Sequence, residues 1–203
     1  MYANSKTAAL KPGGAYPEHA VRRVERRMAL SSTYLAEADY AYAQAAASFW
    51  RKPWWIVRAR SHLSRACLWS DAAECECGIA RLTLLQLLER SIVLCRAKRY
   101  KDAIRCVDEA LSRESDSISN DIKIRLFVVK AESMHERGKD FEADSLYESA
   151  WGMLGSDTLN STTVLIGRSY GAYYMHQGNM ESASKCFLTA MSALGEDSEE
   201  DIN

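Results

Sequence analysis

The chain holds little that breaks a helix. Among 203 residues there are 3 prolines and 10 glycines, and β-branched runs are few while alanines are many, which excludes an all-β design and predicts an all-helical protein. No stretch approaches the roughly 18 uninterrupted apolar residues of a membrane-spanning helix. No apolar core follows the first basic residues, so a secretory leader is not indicated and disulfides are not expected. The predicted setting is the cytosol or the nucleus. Catalytic signatures are missing too. The four histidines, His19, His62, His135 and His176, stand at no motif spacing from a nucleophile, and there is no phosphate-cradling glycine loop. Cys75 and Cys77 are two apart, which on a helix turns them about 200° from each other, so both thiolates cannot reach one ion. The expectation is a protein with no enzymatic activity, no cofactor and no metal.

What is present is a repeat. Ala97–Ala103, Arg137–Ala143 and Gln177–Ala183 are three copies of one turn, and the anchors Ala103, Ala143 and Ala183 stand 40 residues apart. Each is followed four residues on by a bulkier side chain (Val107, Tyr147, Phe187) and three further by alanine (Ala110, Ala150, Ala190). Twelve residues before each anchor lies another small residue: Ser91, Ala131 or Gly171. Small residues at both points let two helices cross at close range, and the bulkier residue one turn on fills the space where they splay. Gly138 and Gly178 suit the end of the first helix of a hairpin; Lys98 replaces that glycine in the first copy.

This pattern resembles the tetratricopeptide repeat family over Leu84–Leu194. It departs from the family at the usual early Trp and Leu, here Leu87/Arg90, Phe127/Lys130 and Gly167/Tyr170, and in its spacing of 40 rather than about 34; the longer spacing is similar to the long-helix variants of kinesin light chains. The resemblance implies a right-handed α-α superhelix, or solenoid, of about four antiparallel hairpins, the first helix of each lining an inner groove for partner segments. Carried over, the groove is Leu88, Ile92 and Arg96 from the first copy, Arg125, Val128, Glu132 and His135 from the second, and Arg168, Ala172, Met175 and His176 from the third. A protein partner would enter as an extended or helical segment, making this an adaptor subunit of a complex. The family's carboxylate-clamp positions carry Leu88, Ile92, Val129, Leu165 and Ser169, which disfavours a receptor for chaperone tails.

The rest of the chain divides around these copies. Residues 1–16 read as a flexible lead, 17–70 as N-terminal helices with a degenerate repeat at Ala59, Leu63 and Ala66, 71–195 as the three hairpins, and 196–203 as a disordered acidic tail. Asp71–Arg96 reads as one long helix, and a helix from Trp54 follows the break at Pro53. Charge is uneven: residues 1–70 hold 11 Lys and Arg against 4 Asp and Glu, so the N-terminal part carries +7 and the remainder −8. Cations and aromatic rings interleave at Trp50, Arg51, Lys52, Trp54, Trp55 and Arg58. These residues can stack bases and neutralise phosphates, which makes nucleic acid the alternative partner; equally, such tryptophans can be buried between hairpins. The third hairpin lacks an obvious polar cap, so Leu188 and Met191 are expected to be covered by a partner, a second copy of the chain or the N-terminal helix.

Overall fold

The computed structural model describes residues 17–48, 51–113, 118–156 and 158–200, the side chains of 196–200 excepted. The lead and Trp50 therefore lie outside the described residues. Among the described residues eight helices follow one another: α1 Glu18–Ala47, α2 Lys52–Cys77, α3 Leu84–Arg96, α4 Tyr100–Ser112, α5 Asn120–His135, α6 Asp140–Trp151, α7 Asn160–His176 and α8 Met180–Glu200, with a 3₁₀ turn at Ile79–Arg81. They form four antiparallel hairpins, α1/α2, α3/α4, α5/α6 and α7/α8, stacked in chain order. The protein is an all-α solenoid. Among the described residues no helix is long and apolar enough to cross a membrane.

The small residues sit where the crossings need them. Ala103, Ala131 and Ala143 are wholly buried, and so is Ser91. In the last hairpin the approach is closer still: a Cβ on Gly167 would lie 2.7 Å from the Cys186 carbonyl oxygen, and one on Gly171 would meet the Phe187 ring at 2.8 Å. The core forms two clusters that share α5. Leu126 and Val129 pack toward Leu87, Leu94 and Val107, whereas Ile124, Val128 and Ala131 pack toward Tyr147, Ile166 and Tyr170. A helix apolar on two sides is one with neighbours on two sides.

Three sequence expectations are corrected here. Asp71–Arg96 is not one helix. The chain turns at Gly78 (φ 77°), and Thr83 caps α3 through a capping box with Gln86. Gly78 can hold that φ because it has no Cβ. The helix expected from Trp54 begins at Lys52, with Pro53 in its first turn, where its missing N–H costs nothing. The acidic tail does not begin where α8 was expected to end, since the helix continues through Gly195 to Glu200.

The first hairpin is built differently from the others. Its helices have 30 and 26 residues against 13 in α3, and they lie together along their length, from Arg23–Glu76 through Ser31–Ala66 to Tyr40–Trp55. Buried Ala59, Leu63, Ala66, Ser70 and Ala73 of α2 follow a four-three spacing and meet Ser31, Ala38, Ala41 and Ala45 of α1. That is a coiled-coil seam made of small side chains. Only its lower part stacks on the second hairpin. Arg90, 1% exposed, donates to Ser70 Oγ (2.6 Å) and Asp71 (3.0 Å) and contacts Glu74; Arg99 donates to Asp71 (2.6 Å) and Arg105 to Glu74 (2.8 Å). The spacing at Ala59–Ala66 thus belongs not to the stacked part but to an arm that stands roughly 20 Å beyond α3, by the helical rise.

Candidate functional site

Three turns at one end of the stack share a single geometry. After α3 the amide of Lys98 donates to Cys95 O (2.9 Å) and that of Arg99 to Leu94 O (2.8 Å). After α5, Gly138 donates to His135 O and Lys139 to Met134 O; after α7, Gly178 donates to Met175 O and Asn179 to Tyr174 O. Each is a Schellman motif, whose pivotal residue must take a positive φ. Those values are 61° for Lys98, 73° for Gly138 and 76° for Gly178.

Because the three helix ends line up, their last turns enclose a cleft of about 740 Å³. Arg96 enters it from α3, Glu132 and His135 from α5 with Glu136 just after it, and Arg168, Ser169, Ala172 and His176 from α7. Lys98 and Tyr100 close one edge, and Asp39 reaches in from the arm. The floor is aromatic, with Tyr147 and Tyr173 at 5.3 Å between ring centroids and His135 edge-on to Tyr173 at 5.2 Å.

Six of the sequence-predicted groove residues therefore come together: Arg96, Glu132, His135, Arg168, Ala172 and His176. Five do not. Leu88 and Val128 are core residues, 5% and 1% exposed, and Ile92 packs against the first core cluster. Arg125 donates to the hydroxyls of Thr162 (3.3 Å) and Ser161 (3.1 Å) at the start of α7, and Met175 is exposed outside the cleft lining. Sequence reasoning missed Asp39, Lys98, Tyr100, Tyr147 and Tyr173 as cleft residues. Lys98 alone carried a signal, as the lysine in a glycine position.

The charges in the cleft fall into two sets. Glu132 and Glu136 are held from within: Ser169 Oγ donates to Glu132 (2.9 Å), the Cys95 thiol approaches it (3.8 Å), and Tyr100 donates to Glu136 (2.9 Å). Burial, and then the neighbouring Glu132, pushes the Cys95 thiol up to about 11; burial and the bond to Glu136 push the Tyr100 phenol up to about 12. His135 Nδ1 lies 2.6 Å from Asp140 Oδ1. By contrast Arg96, Lys98, Arg168 and Asp39 make no ion pair among the described residues. Nor do any three His, Cys, Asp or Glu side chains among the described residues converge as metal ligands would.

The basic aromatic corner lies at the tip of the arm. Trp54 is 56% exposed and Trp55 half-buried, so these rings are not sandwiched between hairpins. They meet edge to face at 4.6 Å, and Arg58 lies 5.5 Å from both ring centroids. Arg51 and Lys52 are exposed beside them. At the far end of the stack Leu188, Met191 and Leu194 are exposed, and α1 does not cover them, since it packs on α2 and α3.

No family model matches this chain, and no curated protein matches it. Among solved structures it is similar to one titled MamA MSR-1 C2, with 12% identity, a TM-score of 0.46, and coverage of 88% of this chain and 98% of that one. The hairpin architecture described above stands on this chain's own helices.

Proposed function

We propose that the protein is a non-catalytic scaffold of tetratricopeptide type, a subunit of a protein complex that takes an extended or helical segment of a partner into the cleft. The observation that carries this reading is the cleft itself. Three successive repeats each contribute their helix end at one register, producing a continuous trough of aromatic floor and charged rim, the form in which peptide segments are recognised. Chemistry within the trough runs against catalysis. Burial pushes its thiol up to about 11, the reverse of nucleophile activation. The tip of the arm supports the nucleic-acid alternative less well, because its exposed Trp54 and neighbouring Arg58 form an open corner and not an enclosed trough.

The test is site-specific photo-crosslinking in nuclease-treated extract, with p-benzoylphenylalanine at Ala172 in the cleft or at Glu148 on the exposed side of α6. Capture of a discrete protein from position 172 alone supports the scaffold reading. Identical capture from both positions, or capture that disappears with nuclease, overturns it.

A further inference from the structure

We infer that the tip of the arm docks on a membrane surface containing anionic phospholipid, with Trp54 and Val57 entering the headgroup layer and Arg51, Lys52, Arg58 and Arg60 meeting its negative charge. This surface is separate from the cleft, and the inference stands whatever the cleft holds.

The first observation is apolar. Trp54 and Val57 stand three apart at the start of α2, hence on one face of the helix, and they are 56% and 66% exposed. The seam with α1 runs through Ala59 and Leu63, so these two side chains turn away from it. Tyr40, edge-on to Trp55 at 6.1 Å, is exposed from α1 at the same level. Tryptophan and tyrosine pair an apolar body with one polar atom, and a bilayer's headgroup boundary accommodates both.

The second observation is the charge around those side chains. Tyr40–Ser70 contains Arg51, Lys52, Arg58, Arg60 and Arg65 and not one Asp or Glu. Widening the count to Glu37 and Asp39 still leaves five cations against two carboxylates, and Asp39 faces the cleft. Arg51, Lys52 and Arg60 are exposed and pair with no carboxylate among the described residues. An anionic lipid surface supplies the countercharge that the tip lacks, and its hydrocarbon boundary takes the apolar side chains. Shape favours this occupant over nucleic acid. Bases would have a use for the rings but none for Val57. The two tryptophan planes also cross at 75°, which gives successive bases no parallel pair of faces. A tip that projects roughly 20 Å beyond α3 meets a flat surface unobstructed.

The experiment is flotation of the full chain with phosphatidylcholine vesicles, made with or without phosphatidylserine. Wild type is expected to float with the anionic vesicles and to be released as salt rises. Arg51→Gln/Lys52→Gln should weaken binding about thirtyfold, at the usual worth of two cations beside an anionic surface. Trp54→Ser/Val57→Ser should weaken it at every salt concentration, because salt does not screen apolar contact. Both pairs are exposed, so circular dichroism should show unchanged helix. Lys101→Gln/Arg137→Gln removes the same charge from exposed positions on the stack and should bind as wild type does. Equal flotation with neutral vesicles, tip variants that bind like wild type, or an equal loss in the stack variant would each overturn the docking surface. Absence of flotation with either vesicle would also overturn it, and single-stranded RNA bound through the same residues would then assign the tip to nucleic acid.

Discussion

The first and last hairpins both bring two helices close together, by different means and to different ends. In α7/α8 the approach is concentrated at Gly167 and Gly171, where the partner's backbone and a phenylalanine ring fill the place of a side chain. In α1/α2 it is spread along a ladder of alanines and serines with no single point of closest contact. A crossing fixed at one place lets hairpins tilt and stack, whereas a seam repeated every three or four residues holds two helices parallel for their whole length. The stack therefore makes a trough, and the seam makes an arm. What joins them is a buried guanidinium, Arg90, flanked by Arg99 and Arg105 and by the apolar contact of Val24, Met28 and Ala73 with α3.

Removing that joint should have the largest effect. Arg90→Ala is expected to destabilise the protein by about 3 kcal/mol, through a cavity and through Asp71 and Glu74 losing a buried partner. Limited proteolysis should then cut near Gly78, between arm and stack, before it cuts elsewhere; uniform digestion would place the joint outside Arg90. Gly167→Ala should cost about 2 kcal/mol, because the obstacle is a backbone carbonyl that cannot rotate away. The mirror change in the arm, Ala41→Gly, should cost only about 1 kcal/mol, as for a glycine in any helix interior. Equal losses in urea melts would erase the distinction between point and seam.

Alkaline pH offers a further effect, strongest in the stack, although burial also raises the Cys67 and Cys77 thiols of α2. Cys95 and Cys106 are raised to about 11 by burial, above the value near 9 of a free thiol. The folded state thus keeps protons that the unfolded chain releases. Their contribution is complete below about pH 9 and fades as pH rises toward 11, a loss on the order of 1–3 kcal/mol. Thermal melts between pH 7 and 11 should show the decline, and Cys106→Ala should flatten it. The smallest expected effect is at the turns: Gly138→Lys should lower stability by about 1 kcal/mol, since it places in the second repeat the strain that Lys98 bears in the first.

The repeat and its turns were legible because their signals are local. A small residue, a glycine and an alanine at fixed offsets are each required by one backbone contact. The break before α3 was equally local: Thr83 and Gln86 form a capping box, but Gly78 read as a tolerated interruption because apolar residues continue on both sides. The cleft was harder to read for a geometric reason. Residues four apart on a helix advance 400°, so a row taken as one face drifts by about 40° at each step. Leu88, Ile92 and Arg96 accordingly pass from buried through half-buried to exposed, and Val128, Glu132 and Glu136 do the same. Read as a row, they begin in the core and end in the cleft. Asp39 was beyond reach, because nothing in α1 announces that the arm runs past the neighbouring turn.

The double-sided packing of α5 has a consequence for how the protein comes apart. Loss of the hairpin on either side would bare half of its apolar surface, so neither end can open fully without raising the free energy of the middle. Amide protons of α5 should therefore be the last to exchange with solvent, released only when the whole stack opens, while those near the ends of α1 and α8 leave through small local fluctuations. The stack's cooperativity resides in one sixteen-residue helix.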